Sequence, residues 1–540
     1  MDQFDRRKFL LGSATLFTAA ACSVPGTGDG GGSEGSDSIT LLAALVPETL
    51  NPIAGFSNTG KGLINEGLLT LLGDSDSLPD LVPNLADGPP EVSADARTWT
   101  VRLREGVQFS DGSQLTADDV VATFKAIADP ATASPIAGDL VNLASVEAVD
   151  ERTVVFVLTE PQVSFRTALL IGIAPAAAIQ AGQLVEDSPL NQAPIGTGPY
   201  LVDSYTTDRL VLRANEDHRD GPPEMAEITY VMAADDNARA QRMTAGEFDG
   251  SILPPRLVTT FQGSADFDVI TATSADWRGI TFPYDNPVTT DPAVRMALNV
   301  GIDRQAILDG VLVGFGRPAH TFIPPQYGEN YNPDAVFAFE RAAAASLLDE
   351  AGWIEGGDGI RAKDGLRAAF TLMYRPTDQL RRDLSAAFAS EALELGFDVT
   401  IEGVEFDQAE PRINTDAVLL GGGDTPYDVD TLIYKSLHSS YPDAGAYYDN
   451  ASRYSSPDMD RLLERGRTSL EGPERAEAYR QVQQLYVEEP SMVLLVFLDH
   501  TYVQKKSVSR AWRVTSTLLE PHEHGTALGP WADIDKWQRA

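Results

Sequence analysis

One cysteine in 540 residues, Cys22, excludes an intramolecular disulfide. Stability therefore has to come from an extensive apolar core, and a chain of this length with 43% hydrophobic residues can build one. Histidine is nearly as scarce. Of six, only His522 and His524 in "HEH" are neighbours, no further ligand lies in reach by sequence, and no metal site or cofactor is expected. The chain has no Gly-x-Ser-x-Gly elbow, no His-Glu-x-x-His, no complete EF-hand loop and no usable catalytic cysteine. No carboxylate pair stands out among the many acids, so a secreted acidic hydrolase is kept only as an alternative class. Positive charge is short as well: 41 basic residues against 79 acidic ones give a formal net charge of -38. That balance argues against nucleic acid and against broad contact with anionic lipid, since both favour positive surfaces.

Near the N-terminus the apolar run Leu10–Ala21 falls short of the ~20 residues that cross a bilayer as a helix. What is there, "DRRKFLLGSATLFTAAAC" over residues 5–22, has the parts of an export signal: a charged start (Arg6, Arg7, Lys8), an apolar middle and small residues before the break. Paired arginines point to the twin-arginine route, and "AAAC" resembles a lipobox with Cys22 as the acylated residue, although Ala19 stands where a leucine often sits. Residues 1–22 are read as this signal and 23–37 as a flexible Gly/Ser/Asp tether. The mature protein is then extracytoplasmic, anchored to the outer face of the cell membrane through its lipidated N-terminus alone.

Beyond the tether, strand-length apolar runs alternate with amphipathic helical runs. "TWTVRL" (98–103) alternates Trp99, Val101 and Leu103 on one face, and "TADDVVATFKAI" (116–127) has Thr116 and Asp119 in capping-box positions. "YLVDSYTTDRLVLRAN" (200–215) reads as a hairpin, and "DPAVRMALNVGI" (291–302) as a helix started by Asp291 and Pro292. "AAFTLMY" (368–374), a helix over 377–395, "VTIEGVEF" (399–406) and "AVLLGG" (417–422) continue a βαβ rhythm. Helices near 457–470 and 473–488 and the strand "MVLLVFL" (492–498) close the series. The expected class is α/β with parallel or mixed sheets, in two or more lobes.

Four separated blocks carry a resemblance: "PNLADGPPEVSADARTWTVRLREGVQFSDGSQLTADDV" (83–120); "PIGTGPYLVDSY" (194–205) with "LVLRANEDH" (210–218); "VRMALNVGIDRQAILDGVLVGFGRPAHTFIPP" (294–325); and "ERAAAASLLDEAGW" (340–353). In this order they resemble the peptide/nickel family of extracytoplasmic solute-binding proteins, family 5, which serve ATP-driven importers. Read as residues, the acids of "VQFSDGSQLTADDV" are turn and cap groups, and Gly196, Gly198 and Pro199 set an interdomain turn.

The resemblance implies a two-lobed periplasmic-binding-protein-like fold (class II) with an extra sub-domain in the first lobe. Its expected layout is lobe I over 38–75, an inserted sub-domain II over 76–190, lobe I again over 191–284, lobe III over 285–498, and a return to lobe I over 499–540, with the chain crossing near 285 and near 500. It implies a monomer that captures a short peptide and delivers it to a membrane permease. A nickel chelate, haem, glutathione or a saccharide are alternative solutes. By analogy with dipeptide-binding members, Arg375 before Pro376 holds the peptide carboxylate and Asp424 in "LLGGGDTPYDVD" holds the ammonium. Asp428 and Asp430 are rivals for that role, or caps of a helix. Tyr427, Trp277 and Tyr284 are candidate cleft residues, with Trp277 and Tyr284 flanking a strand at the crossover. A tryptophan common in the family's Gly-rich segment is replaced here by "GGGD".

Overall fold

The computed structural model describes residues 36–540 apart from 45, 46, 60, 424, 442–448, 471 and 523–528. Cys22, the export signal, nearly all of the tether, Asp424 and His524 lie outside the described residues. Eleven strands form one mixed sheet. From one edge its order is Asp398–Gly403, Ala369–Tyr374, Ala417–Gly422, Phe267–Thr281, Met492–Lys505, Gly250–Ile252, Ser38–Ala43, Glu227–Met232, Arg209–Ala214 and Tyr200–Tyr205, with Gly316–Pro318 added against Met492–Lys505.

Phe267–Thr281 and Met492–Lys505 are much longer than their neighbours, 15 and 14 residues, and pair antiparallel from Phe267 opposite Lys505 to Thr281 opposite Met492. One half of this ribbon carries Gly250–Ile252 against Tyr502–Gln504, and the other half carries Ala417–Gly422 against Trp277–Ile280. The two strands thus run from one half of the sheet to the other, and their pairing breaks between Thr273 and Trp277. Every residue from Met492 to Leu498 is buried, the environment that an apolar run without alternation requires.

A separate antiparallel sheet, in the order Glu91–Val92, Thr98–Arg102, Thr153–Leu158, Leu143–Asp150, has its own core. Helix Ala117–Ala128 covers it with Val120, Phe124 and Ile127, residues that share one helical face, and Phe124 meets Phe156 edge-on with ring centroids 4.9 Å apart. The acids nearby serve local geometry. Asp111 accepts from Ser113 N at 2.9 Å, and Asp119 accepts from Thr116 N at 2.8 Å in a capping box.

Gly196 and Gly198 let two backbones touch: a Cβ at either would lie 2.0 or 2.5 Å from the carbonyl oxygens of Ile64 or Leu63. The contact is closed by Gly198 N donating to Ile64 O at 2.9 Å. Among the described residues no helix is long and apolar enough to cross a membrane.

Candidate ligand-binding site

Ala369–Tyr374 and Ala417–Gly422 run parallel and side by side, Leu372 opposite Ala417 and Met373 opposite Val418. Both therefore end on the same side of the sheet. Arg375 follows the first strand and is exposed there; Gly423 and Asp424 follow the second, which runs about 10 Å further past the level of Tyr374. The carboxyl ends of parallel strands are where open α/β sheets place ligands. Asp424 lies outside the described residues, but Gly423 and Thr425 on either side of it are described.

The glycine run is dictated by crowding. A Cβ on Gly422 would fall 2.4 Å from the Trp277 ring, and one on Gly423 would fall 2.5 Å from Ala275 O at a φ of +105° that L residues avoid. The loop that carries Asp424 is thereby pressed against the strand Phe267–Thr281 where its pairing breaks.

Asp428 is 1% exposed and caps helix Val429–Leu437 by accepting from Asp430 N at 2.9 Å. Arg475 and Arg166 both reach it, Arg166 at 3.1 Å. Burial alone would push its pKa up, but the two guanidinium groups outweigh this and hold the carboxyl below its usual range. Asp430, fully buried, accepts from Ser164 Oγ at 2.5 Å and from Arg467 Nε at 3.0 and 3.1 Å. Tyr427 is buried in the core of the four-stranded sheet's region, and that burial raises its hydroxyl pKa. Tyr427, Asp428 and Asp430 thus each reach toward the region of the four-stranded sheet.

Trp277 pairs with Gly422 and stacks edge-on against Phe322, centroids 5.0 Å apart, so it forms the wall behind the glycine run. Tyr284 lies elsewhere. Its neighbour Asp285 donates to Asn414 O at 2.8 Å, before Ala417–Gly422 begins, and its ring lies under the Arg453 guanidinium at 4.8 Å. The structure therefore separates Tyr284 from Arg375 and Gly423 by the length of a strand.

A buried polar network that sequence reasoning missed lies at the break in the ribbon. There the C-terminal return segment is inserted: Glu520 N donates to Thr273 O and Ala275 N to Glu520 O, both at 3.0 Å. Asp276 and Glu520, 0% and 1% exposed, bracket His500. Its Nε2 stands 3.1 Å from Asp276 and its Nδ1 stands 2.6 Å from Glu520. Tyr502 OH donates to Glu520 at 2.7 Å. The other oxygen of Asp276 meets Arg278 and, at 2.7 Å, His522 Nδ1. His522 N donates to Gly423 O at 3.1 Å, so the network also holds the loop of Asp424. The available signal was polar residues inside apolar strands, Asp276 in "SADWRGITF" and His500 in "VLLVFLDHTYV".

Comparison with known proteins accounts for this architecture. The model of the bacterial extracellular solute-binding proteins, family 5, matches residues 80–443, more than half of the chain. Protein XP55 of Streptomyces lividans is 38% identical over 507 residues, covering 93% of this chain and 90% of that protein. Among solved structures, NikZ from Campylobacter jejuni in complex with Ni(L-His) superposes with a TM-score of 0.81 at 24% identity, covering 93% of this chain and 99% of that one. The oligopeptide-binding protein AppA from Bacillus subtilis in complex with a nonapeptide gives a TM-score of 0.77 at 22% identity, covering 93% and 99%. The two-lobed fold is thus shared with these structures, and the chain belongs to family 5 of the bacterial extracellular solute-binding proteins.

Proposed function

We propose that this protein is the capture component of an ATP-driven importer, that its lobes close around a short peptide, and that the intact peptide passes to a membrane permease. The observation that carries this reading is the pair of adjacent strand ends, one followed by Arg375 and the other by the loop of Asp424. A guanidinium fork matches a carboxylate, and a partly desolvated aspartate favours an ammonium, so the two ends of a zwitterionic peptide find opposite partners on one lobe. The nonapeptide in the Bacillus relative supports peptides as the solute class. If the ends and the main chain supply the affinity, side-chain pockets can stay wet and many sequences are accepted.

A nickel chelate is the second reading. It is favoured by the Ni(L-His) complex of the Campylobacter relative and by the His522 imidazole, which lies beside Gly421 in the glycine run.

Titration calorimetry with dialanine tests the first reading. Arg375→Ala removes a charge-assisted contact worth about 1.5–3 kcal/mol, so the Kd is expected to rise roughly 10- to 150-fold with the melting temperature nearly unchanged. Wild-type affinity in that variant would remove the assignment. Native mass spectrometry of the co-purifying solute separates the readings: an intact peptide supports the first, a nickel adduct the second.

The proposal extends to the N-terminus, where an acylated Cys22 holds the monomer at the outer face of the membrane. Cys22→Ser is expected to release the protein into the soluble fraction, and a variant that still sediments with membranes would refute the anchor.

A further inference from the structure

The same lobes also meet one another directly, along a seam that runs beside the loop of Thr425. On the side of the four-stranded sheet stand Asp139, Ser164 and Arg166. Opposite them, along helix Val429–Leu437 from its cap to its last turn, stand Asp428, Asp430 and Lys435. Arg166 Nη2 is 3.1 Å from Asp428, Ser164 Oγ donates to Asp430 at 2.5 Å, and Lys435 Nζ is 2.8 Å from Asp139. The three crossings are spread over seven helical residues, about 10 Å, so they form a line of contact rather than a point.

We propose that these three crossings are a clasp that holds the lobes together and raises the affinity for any solute by favouring the closed form, although Asp139, Ser164 and Lys435 also line a cavity at this seam together with Thr425. The inference rests on the closure around a solute proposed above. Each carboxylate on the helix side has a second partner from its own lobe, Arg475 for Asp428 and Arg467 for Asp430. Opening therefore removes Arg166 and Ser164 without stranding a bare charge, and the clasp can let go. The Arg166 and Lys435 side chains are 31% and 34% exposed, so solvent reaches the cationic side of each pair and weakens it, although Asp428 itself is buried. Burial pulls the Lys435 pKa down, yet Asp139 outweighs it and holds the ammonium above its ordinary range.

Contacts made only in the closed form increase the fraction of molecules competent to bind. Apparent affinity scales with that fraction whatever the solute is. Clasp residues and solute-contacting residues are therefore distinguishable: the former shift every Kd by one factor, the latter change ratios between solutes.

The test uses the purified chain without added solute, as wild type and as the double variant Arg166→Ala/Lys435→Ala. Small-angle scattering is expected to show a larger radius of gyration for the variant. Calorimetry with dialanine and with diphenylalanine is expected to show both Kd values raised by the same factor, about three- to tenfold. Asp139→Lys alone should raise the Kd, and adding Lys435→Asp should restore it, which loss of fold would not permit. Superimposable solute-free scattering of wild type and double variant would overturn the clasp. So would unequal factors for the two peptides, or a charge swap that restores nothing. If neither peptide binds the wild type, the peptide reading fails while the scattering comparison still decides the clasp.

Discussion

Glu66 and Asp428 are both buried carboxylates held by arginine, and they sit in opposite kinds of junction. Glu66 joins the region of the four-stranded sheet to the lobe that contains the hairpin Tyr200–Ala214. Arg219 grips both its oxygens, at 2.5 and 2.8 Å, while Thr197 and Asn84 donate at 2.9 and 3.3 Å. Burial pushes its pKa up, but His218 and Arg219 outweigh this and bring it down to about 2. Asp428 divides itself between Arg475 on its own lobe and Arg166 on the other, and spends its remaining acceptor capacity on a helix cap. A carboxylate whose ion pairs all come from one body, as those of Glu66 come from His218 and Arg219, makes a fixed joint. One whose partners are split between two bodies makes a joint that can part and re-form.

The sharpest way to break this contrast is Arg219→Ala. Removing one partner of a buried pair leaves an uncompensated charge and costs about 3–5 kcal/mol, which a urea titration reads as a large fall in the midpoint. A loss below about 1 kcal/mol would place the Glu66 junction in the same class as an exposed pair. Acid probes the same joint more gently. The folded pKa of about 2 lies below the unfolded value of about 4.3, so the contribution is complete above pH ~4.3 and is lost as the pH falls through ~2. The difference amounts to about 3 kcal/mol, and Glu66→Gln is expected to flatten that limb of the stability–pH curve.

Elements whose cause is local were legible before the structure. The capping box of Thr116 and Asp119, the start at Asp291 and Pro292, and the buried strand Met492–Leu498 stand where periodicity and caps place them. The helix expected over 377–395 is Gln379–Leu393 because Asp378 caps it, accepting from Arg381 N at 2.9 Å. The long strand Phe267–Thr281 was only partly legible. Asp276 and Arg278 look like surface residues until His500, Glu520 and His522 arrive from more than two hundred positions away. The acids after the glycine run were ambiguous for the same reason. A cap and a ligand-gripping aspartate are alike in sequence, and the groups that distinguish them for Asp428 are Arg475, 47 positions later, and Arg166, 262 positions earlier. Arg375 is the reverse case, since a strand followed by Arg-Pro marks its place without distant information.

The smallest expected effect is the one that defines the releasable joint. Arg166→Ala should lower global stability by under about 1 kcal/mol, because the arginine is 31% exposed and the buried Asp428 it leaves behind keeps a second guanidinium. Asp428 keeps Arg475 and its cap, so no buried charge is left alone. In urea the variant should share the wild-type slope and differ little in midpoint, although its closed fraction falls. A loss comparable to that of Arg219→Ala at unchanged slope would mean that Asp428 needs Arg166 throughout the folded state. The lobes could not then separate at that line without unfolding, and the two junctions would be one kind after all.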